Sequence, residues 1–268
     1  MSESSIQIED AIVLRQTAQP GGYHRLALRA PRIAPRVRPG QFVHLRLPAP
    51  ADTLLRRPFS VFKAGRGTLE ILYKPVGRGT HAMAALRKGD ALSLIGPLGN
   101  GFPPPAPDAF PVLVAGGYGM AALYLLAAAA PRPGLAFFGG ATAEDILCRP
   151  EFEALGWTLR VATEDGSLGD RGLVTAPLDE WLAEPDRPAR AELFACGPNG
   201  MLRAVAERAG RVGARAWLSM DRSMGCGVGA CLTCVQPLRA PDGSTVWARV
   251  CKEGPVFDAR DVVWEADE

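Results

Sequence analysis

The hydrophobic period of this chain changes once, at a run of prolines, and that change restricts the possible folds more than any other feature. Before it, apolar and polar residues alternate in short runs at 11–15, 23–28, 41–47, 69–74 and 91–95, cut by turn residues such as Pro20-Gly21-Gly22, Pro39-Gly40 and Lys88-Gly89-Asp90. Short strands at this spacing make a small antiparallel barrel or sandwich. One helix fits this stretch, at 81–87, with Thr80 as its N-cap. Pro103, Pro104, Pro105 and Pro107 then form a stiff, non-helical connector. Beyond it, strand-like runs at 112–115, 135–138, 158–162 and 193–195 alternate with helical stretches at 120–130, 143–155, 174–183 and 199–209. That order means βαβ units and a parallel sheet. After Met220 the periodicity fades, and the last 48 residues hold four of the six cysteines. The expected architecture is multi-domain β and α/β: an antiparallel barrel at 1–103, a parallel α/β domain at 104–220 and a small cysteine domain at 221–268.

Composition narrows the class. At 268 residues with 47% apolar and 22% charged side chains, the chain can bury a real core, and global disorder is excluded. The longest apolar candidate, 112–130, is interrupted by Gly116, Gly117 and Gly119, so no membrane span is expected. The opening residues lack a basic stretch followed by an apolar one, and the expected location is the cytoplasm. Charge is unevenly placed: residues 1–103 carry a net charge of +9 and residues 104–268 a net of −7. A basic first segment suits an anionic ligand such as a phosphate-bearing cofactor. Nucleic acid is not expected, because the cations lie in proline-broken, strand-like sequence rather than in a run or amphipathic helix.

The sharpest chemical signal is Cys226-Gly-Val-Gly-Ala-Cys231-Leu-Thr-Cys234 followed by Cys251, a C-x4-C-x2-C-x16-C spacing. Three close thiols and a distant fourth suit a plant-type two-iron, two-sulfur cluster, whose thiolates come from one tight loop and one returning strand. Gly225, Gly227 and Gly229 would let that loop take positive φ and turn its amides toward the sulfurs. Zinc sites use two C-x2-C knuckles or Cys/His pairs, whereas one C-x2-C is present and no histidine is nearby; zinc and disulfides remain alternatives. Cys148 reads as a lone thiol. Cys196, which ends a strand and opens Cys196-Gly197-Pro198, suits either a ligand-facing position or simple packing.

Two further patterns concern nucleotides. Arg56-Arg57-Pro58-Phe59-Ser60 lies between strands, and Gly79-Thr80 opens the helix of the barrel. Helix-start amides with Arg57 could hold a pyrophosphate, although an Arg pair alone is as often a solvated face. Gly116-Gly117-Tyr118-Gly119 joins a strand to a helix, suiting either close approach to a nucleotide or a tight turn; it is not a G-x-G-x-x-G fingerprint.

The order of these parts resembles the ferredoxin–NAD(P) reductase superfamily. With Arg249-Val-Cys251-Lys-Glu-Gly-Pro-Val-Phe257 and the ending Asp-Val-Val-Trp264, the chain is similar, from about residue 6 to 264, to the electron-transfer subunits of the NAD-dependent, two-flavin dihydroorotate dehydrogenases. The resemblance implies FAD held by Arg57, Pro58, Phe59 and Ser60, with Leu72, Tyr73 and Lys74 along it and Gly79 and Thr80 at its pyrophosphate. It implies a 2Fe–2S cluster on Cys226, Cys231, Cys234 and Cys251. NAD, the electron acceptor, would lie against Gly116, Gly117, Gly119, Cys196, Gly197 and Pro198. It further implies an FMN-containing catalytic subunit as partner, in a heterotetramer with two copies of each chain. The chain departs from the family's usual pattern at Tyr118, Ala121 and Ala122, beside the expected NAD site. Related FAD/iron–sulfur subunits of sulfide dehydrogenases, hydrogenases or NADH–ferredoxin transhydrogenases would share these cofactors, and a zinc-holding binding module would use the same cysteines without redox chemistry.

Overall fold

The computed structural model describes residues 6–47 and 54–264; residues 1–5, read above for a targeting signal, lie outside them. The first segment contains β1 (Gln7–Ala18), β2 (His24–Arg29), β3 (Phe42–Leu45), β4 (Arg57–Ser60), β5 (Lys63–Gly65), β6 (Thr68–Tyr73), the helix α1 (Arg78–Ala84) and β7 (Ala91–Leu98). The strands pair antiparallel in the order β4-β3-β7-β1-β2-β6-β5. The sheet curls until its ends approach, and the Phe59 and Tyr73 rings meet edge to face at 5.9 Å. Alternate residues, among them Ala11, Val13, Leu26, Leu28, Val43, Leu45, Leu69, Ile71, Leu92 and Leu94, fill the interior, as a period of two dictates.

The helix differs from expectation in its start. α1 begins at Arg78, with Gly77 as N-cap, so Thr80 sits in the first turn. Its hydroxyl accepts from the Val76 and Gly77 amides at 2.9 and 3.1 Å and donates to the Gly77 carbonyl. A side chain that satisfies the residues before a helix reads, in sequence, like the cap itself.

The second segment runs β8 (Phe110–Gly116), α2 (Gly119–Ala129), β9 (Leu135–Gly140), α3 (Arg149–Ala154), β10 (Thr158–Thr163), β11 (Asp170–Arg171), α4 (Thr175–Ala183), β12 (Ala191–Cys196), α5 (Asn199–Arg211) and β13 (Arg215–Ser219). The helical stretch expected at 143–155 is a single 3-10 turn, Ala143–Asp145, followed by the short α3, because Pro150 supports only a helix start. Strand faces alternate between two cores. Val112 and Val114 point toward α4 and α5, while Leu113 and Ala115 point toward α2. α2 is apolar on all sides because it lies between this sheet and the barrel: Leu125 packs on the barrel core, and the Tyr124 and Phe62 rings stand 4.9 Å apart.

The cysteine-bearing segment forms a hairpin, β14 (Val235–Arg239) with β15 (Thr245–Arg249), and then β16 (Val256–Asp258). β16 joins the parallel sheet as an antiparallel edge on β13, giving the order β11-β10-β9-β8-β12-β13-β16. Asn100, at the end of the barrel, donates its side-chain amide to the carbonyls of Lys252 and Glu253. No helix among the described residues is long and apolar enough to cross a membrane.

Candidate electron-transfer centre

This frame carries three sites. The first is a cavity of about 470 Å³ lined by Arg57, Pro58, Phe59, Val76, Gly77, Arg78, Gly79 and Thr80. Five predicted residues therefore meet there, from β4 and from the first turn of α1. The two arginines divide their work. Arg56 folds back to donate to the Ser93 carbonyl at 2.6 Å and to the Ser93 hydroxyl, pinning β4 to β7. Arg57 lines the cavity and is braced by the Leu55 carbonyl at 2.8 Å. Gly79 is buried where a Cβ would stand 2.7 Å from Leu47, so glycine lets the helix start approach the barrel wall. Ser60 is exposed at the end of β4. Leu72 and Tyr73 are core side chains, and the Tyr73 hydroxyl accepts from Gln16; only their backbone remains for a ligand. Lys74 reaches across to the α/β segment, 3.7 Å from Asp145 and over the Tyr23 ring. Val76, Gly77 and Arg78 were not anticipated, since Val and Gly in a turn carry no chemical signal.

The second site is the point where the order of the parallel sheet reverses, between β8 and β12, with β9 on one side and β13 on the other. Ligands in open α/β sheets bind at that crevice, beyond the carboxyl ends of the strands. Gly116, Gly117 and Gly119 close β8 there, and Cys196, Gly197 and Pro198 close β12. The two turns interlock. A Cβ on Gly119 would overlap the Cys196 carbonyl, and one on Gly116 would stand 2.9 Å from Pro198. These glycines are therefore required by packing between the turns. Burial beside β13 pushes the Cys196 thiol up to about 12, against the pull of the Ser219 hydroxyl, so it stays a neutral thiol.

The third site is the cysteine loop. Cys226 and Cys231 form one pair: the Ala230 and Cys231 amides donate to Cys226 Sγ at 3.2 and 3.4 Å, and the Cys226 amide donates to Cys231 Sγ at 3.4 Å. Cys234 and Cys251 form the other, with the Cys251 amide 3.4 Å from Cys234 Sγ. The outer pair is partly or fully exposed, and the inner pair is buried in the α/β core beside Val250. Of the three glycines, Gly227 and Gly229 have φ of 71° and 86°. Gly225 instead admits the Cys231 sulfur, 3.2 Å from where its Cβ would be, and Leu232 supplies an unexpected left-handed residue at 57°. The Thr233 hydroxyl and the surrounding amides draw the Cys231 thiol down to about 6. At Cys226, burial is outweighed by the amides of Val228, Cys231 and Ala230, and the thiol is lowered. Burial and the neighbouring Cys234 push Cys251 up to about 12. Two pairs, rather than one convergent set, is the distribution a two-iron cluster needs, one pair per metal. Four thiols in two pairs, with amides aimed at their sulfurs, fit a 2Fe–2S cluster.

Sequence spacing missed two neighbours of this loop. Arg249 donates to the Gly229 carbonyl at 2.9 Å while paired with Glu253, clamping the loop to the end of β15. The expectation that no histidine is near also fails in space. Gly227 packs directly on the His44 ring, which β3 brings in from residues far away in the chain.

A curled antiparallel sheet, a parallel sheet with an open switch point and a loop of paired thiols define a ferredoxin reductase-like electron-transfer protein. Residues 221–263 match the family described as the iron–sulfur cluster binding domain of dihydroorotate dehydrogenase B. The chain is 42% identical over 232 residues to the dihydroorotate dehydrogenase B (NAD(+)) electron transfer subunit of Geobacillus kaustophilus, covering 84% of this chain and 86% of that one. To the protein of the same name from Desulforamulus reducens it is 34% identical over 264 residues, covering 97% and 99%. Among solved structures, an NADH-dependent reduced ferredoxin–NADP oxidoreductase, described for flavin-based electron bifurcation, superposes with a TM-score of 0.82 at 26% identity, covering 98% of this chain and 92% of that one. This chain belongs to the family of dihydroorotate dehydrogenase B electron transfer subunits.

Proposed function

We infer that this chain carries electrons from a dihydroorotate-oxidising catalytic subunit to NAD+. FAD would be held by Arg57, Pro58, Phe59, Ser60, Gly79 and Thr80, with the strand at Leu72, Tyr73 and Lys74 beside it. NAD would lie at the crevice of Gly116, Gly117, Gly119, Cys196, Gly197 and Pro198, and Cys226, Cys231, Cys234 and Cys251 would hold a 2Fe–2S cluster. When bound, the flavin exchanges two electrons as a hydride with the nicotinamide and single electrons with the cluster, which is why both belong in one chain.

The residues prepare that exchange. Arg57 presents a guanidinium to an anionic group, and the α1 start presents backbone amides. The Ala230, Cys231, Cys226 and Cys251 amides and the Thr233 hydroxyl point at sulfurs, where they stabilise negative charge. Cys196 remains protonated and adds no charge beside the nicotinamide crevice. The observation that carries the reading is the position of the cysteine loop. Through Gly227 it packs on His44 of β3, the strand paired with β4, and β4 lines the Arg57 cavity.

The partner supplies the dihydroorotate site and FMN, in a cytoplasmic assembly of two copies of each chain. The test is co-expression with a candidate FMN-containing catalytic subunit. Co-purification at equal stoichiometry with dihydroorotate-dependent NADH formation supports the reading. A yellow-brown chain that reduces dyes with NADH yet couples to no such subunit would assign it to another reductase.

A further inference from the structure

His44 is fully buried, and neither of its ring nitrogens makes a well-formed hydrogen bond among the described residues, although the backbones of Arg56 and Cys226 face the ring. It stands in β3 opposite Pro58 of the flavin strand and beside Ile95 of β7. The Arg56 guanidinium approaches its carbonyl at 3.4 Å. On the ring side lies the cysteine loop: Gly227, at φ 71°, packs so closely that a Cβ would overlap Nδ1, and the next residue toward the N-terminus is Cys226. Burial lowers the basicity of the ring, more than the facing backbone of Arg56 and Cys226 raises it. The imidazole is therefore neutral, with one N–H and one lone pair. A buried polar group without a partner is costly, and folded proteins retain one where it has a task. A leucine or phenylalanine would fill this position without that cost. The ring touches the loop at Gly227, and its residue stands in register with Pro58 of the flavin strand.

We propose that His44 is a positioning residue for electron transfer, whose N–H is donated to the Cys226 end of the loop when the thiolates are gathered, fixing the cluster against the flavin strand and raising its reduction potential. A hydrogen bond toward the sulfurs favours the more negative, reduced cluster, which is the direction of that effect. In the direction of the proposed function single electrons would pass from the cluster to the flavin, the reverse of the NADH reduction used as the test, and no proton is transferred at the imidazole. The proposal rests on the cluster reading, so iron content is measured first; a chain without iron overturns that reading and not the placement of His44.

The decisive experiment uses the isolated full chain loaded with FAD and cluster. In protein labelled with 15N-histidine, pulsed electron paramagnetic resonance of the reduced cluster should detect a weak nitrogen coupling of hydrogen-bonded size. A coupling of directly ligated size, or none, overturns the proposal. His44→Leu should retain FAD and NADH-to-dye activity, lower the cluster potential and slow its reduction by NADH at least tenfold, while His44→Gln restores most of both. A tenfold change in the flavin-to-cluster equilibrium is about 59 mV for one electron. Native potential and rate in His44→Leu would also sink the idea. Should that variant not fold, the labelled native protein and His44→Gln still decide it.

Discussion

Arg57 and Arg56 are adjacent and chemically identical, yet Arg57 lines the cavity while Arg56, just before β4, is drawn away by its bonds to Ser93. Arg57→Ala should remove a charge-assisted contact of about 1.5–3 kcal/mol, weakening FAD by roughly 10- to 100-fold. Flavin retained on gel filtration is the measurement, and full retention would refute the role. Arg56→Ala should instead loosen β4 from β7 and show first as lost stability. At the cysteine loop, Cys231→Ser removes the most accessible thiol of the outer pair. Iron content and the paramagnetic signal on reduction should fall away while FAD stays bound, since the proposed flavin residues belong to other elements. One zinc and no iron in the native chain would make the site structural. The thiols and Arg57 were legible in the sequence; that Arg56 instead ties the start of β4 to Ser93 was not, because that bond joins residues 37 positions apart.

Single elements carry a different kind of constraint. The turn before α1 is held by one hydroxyl, with Thr80 bonded to Val76 and Gly77. Thr80→Ala should cost about 1 kcal/mol of stability and speed flavin release, whereas Thr80→Ser should behave as native; denaturation midpoints and release rates check both. The Gly-rich turn suited either close approach to a nucleotide or a tight turn, and the structure adds a packing reason for one glycine: a Cβ at Gly119 would overlap the Cys196 carbonyl of the neighbouring strand. In the α/β segment β8, β9, β10, β12, α2, α4 and α5 were legible from their apolar runs, whereas β11, β13 and the broken stretch at 143–155 were not. β14, β15 and β16 were not, because short strands on a partly exposed hairpin lack a sustained period, as exposed Val246 and Trp247 illustrate.

Across the whole molecule, the segments are joined by polar contacts between distant residues. Glu151 of α3 holds Arg25 and Lys63 of the barrel, and Tyr23 donates to Asp145 at 3.0 Å. At the other end, Asp258 of β16 is buried between Arg260 and Arg215. Burial tends to raise its carboxyl, but the Arg260 and Arg215 partners win and hold it below the ordinary carboxylate range. A depressed folded pKa contributes stability above the unfolded value, near 4, and loses it as pH falls through the folded one. Asp258→Asn should therefore cost about 2 kcal/mol at pH 7 and progressively less below pH 4. Chemical denaturation at both pH values tests this, and an equal difference at each would overturn it. The sequence alone determined the alternation of barrel and α/β segments and the four thiols, since hydrophobic period and ligand spacing are local properties. Only the tertiary structure decided that β16 completes the sheet of the preceding segment, that the thiols fall into an exposed and a buried pair, and that His44 lies beneath their loop. Those relations join residues separated by tens to hundreds of positions, and backbone pairing and packing, which no local pattern encodes, bring them together.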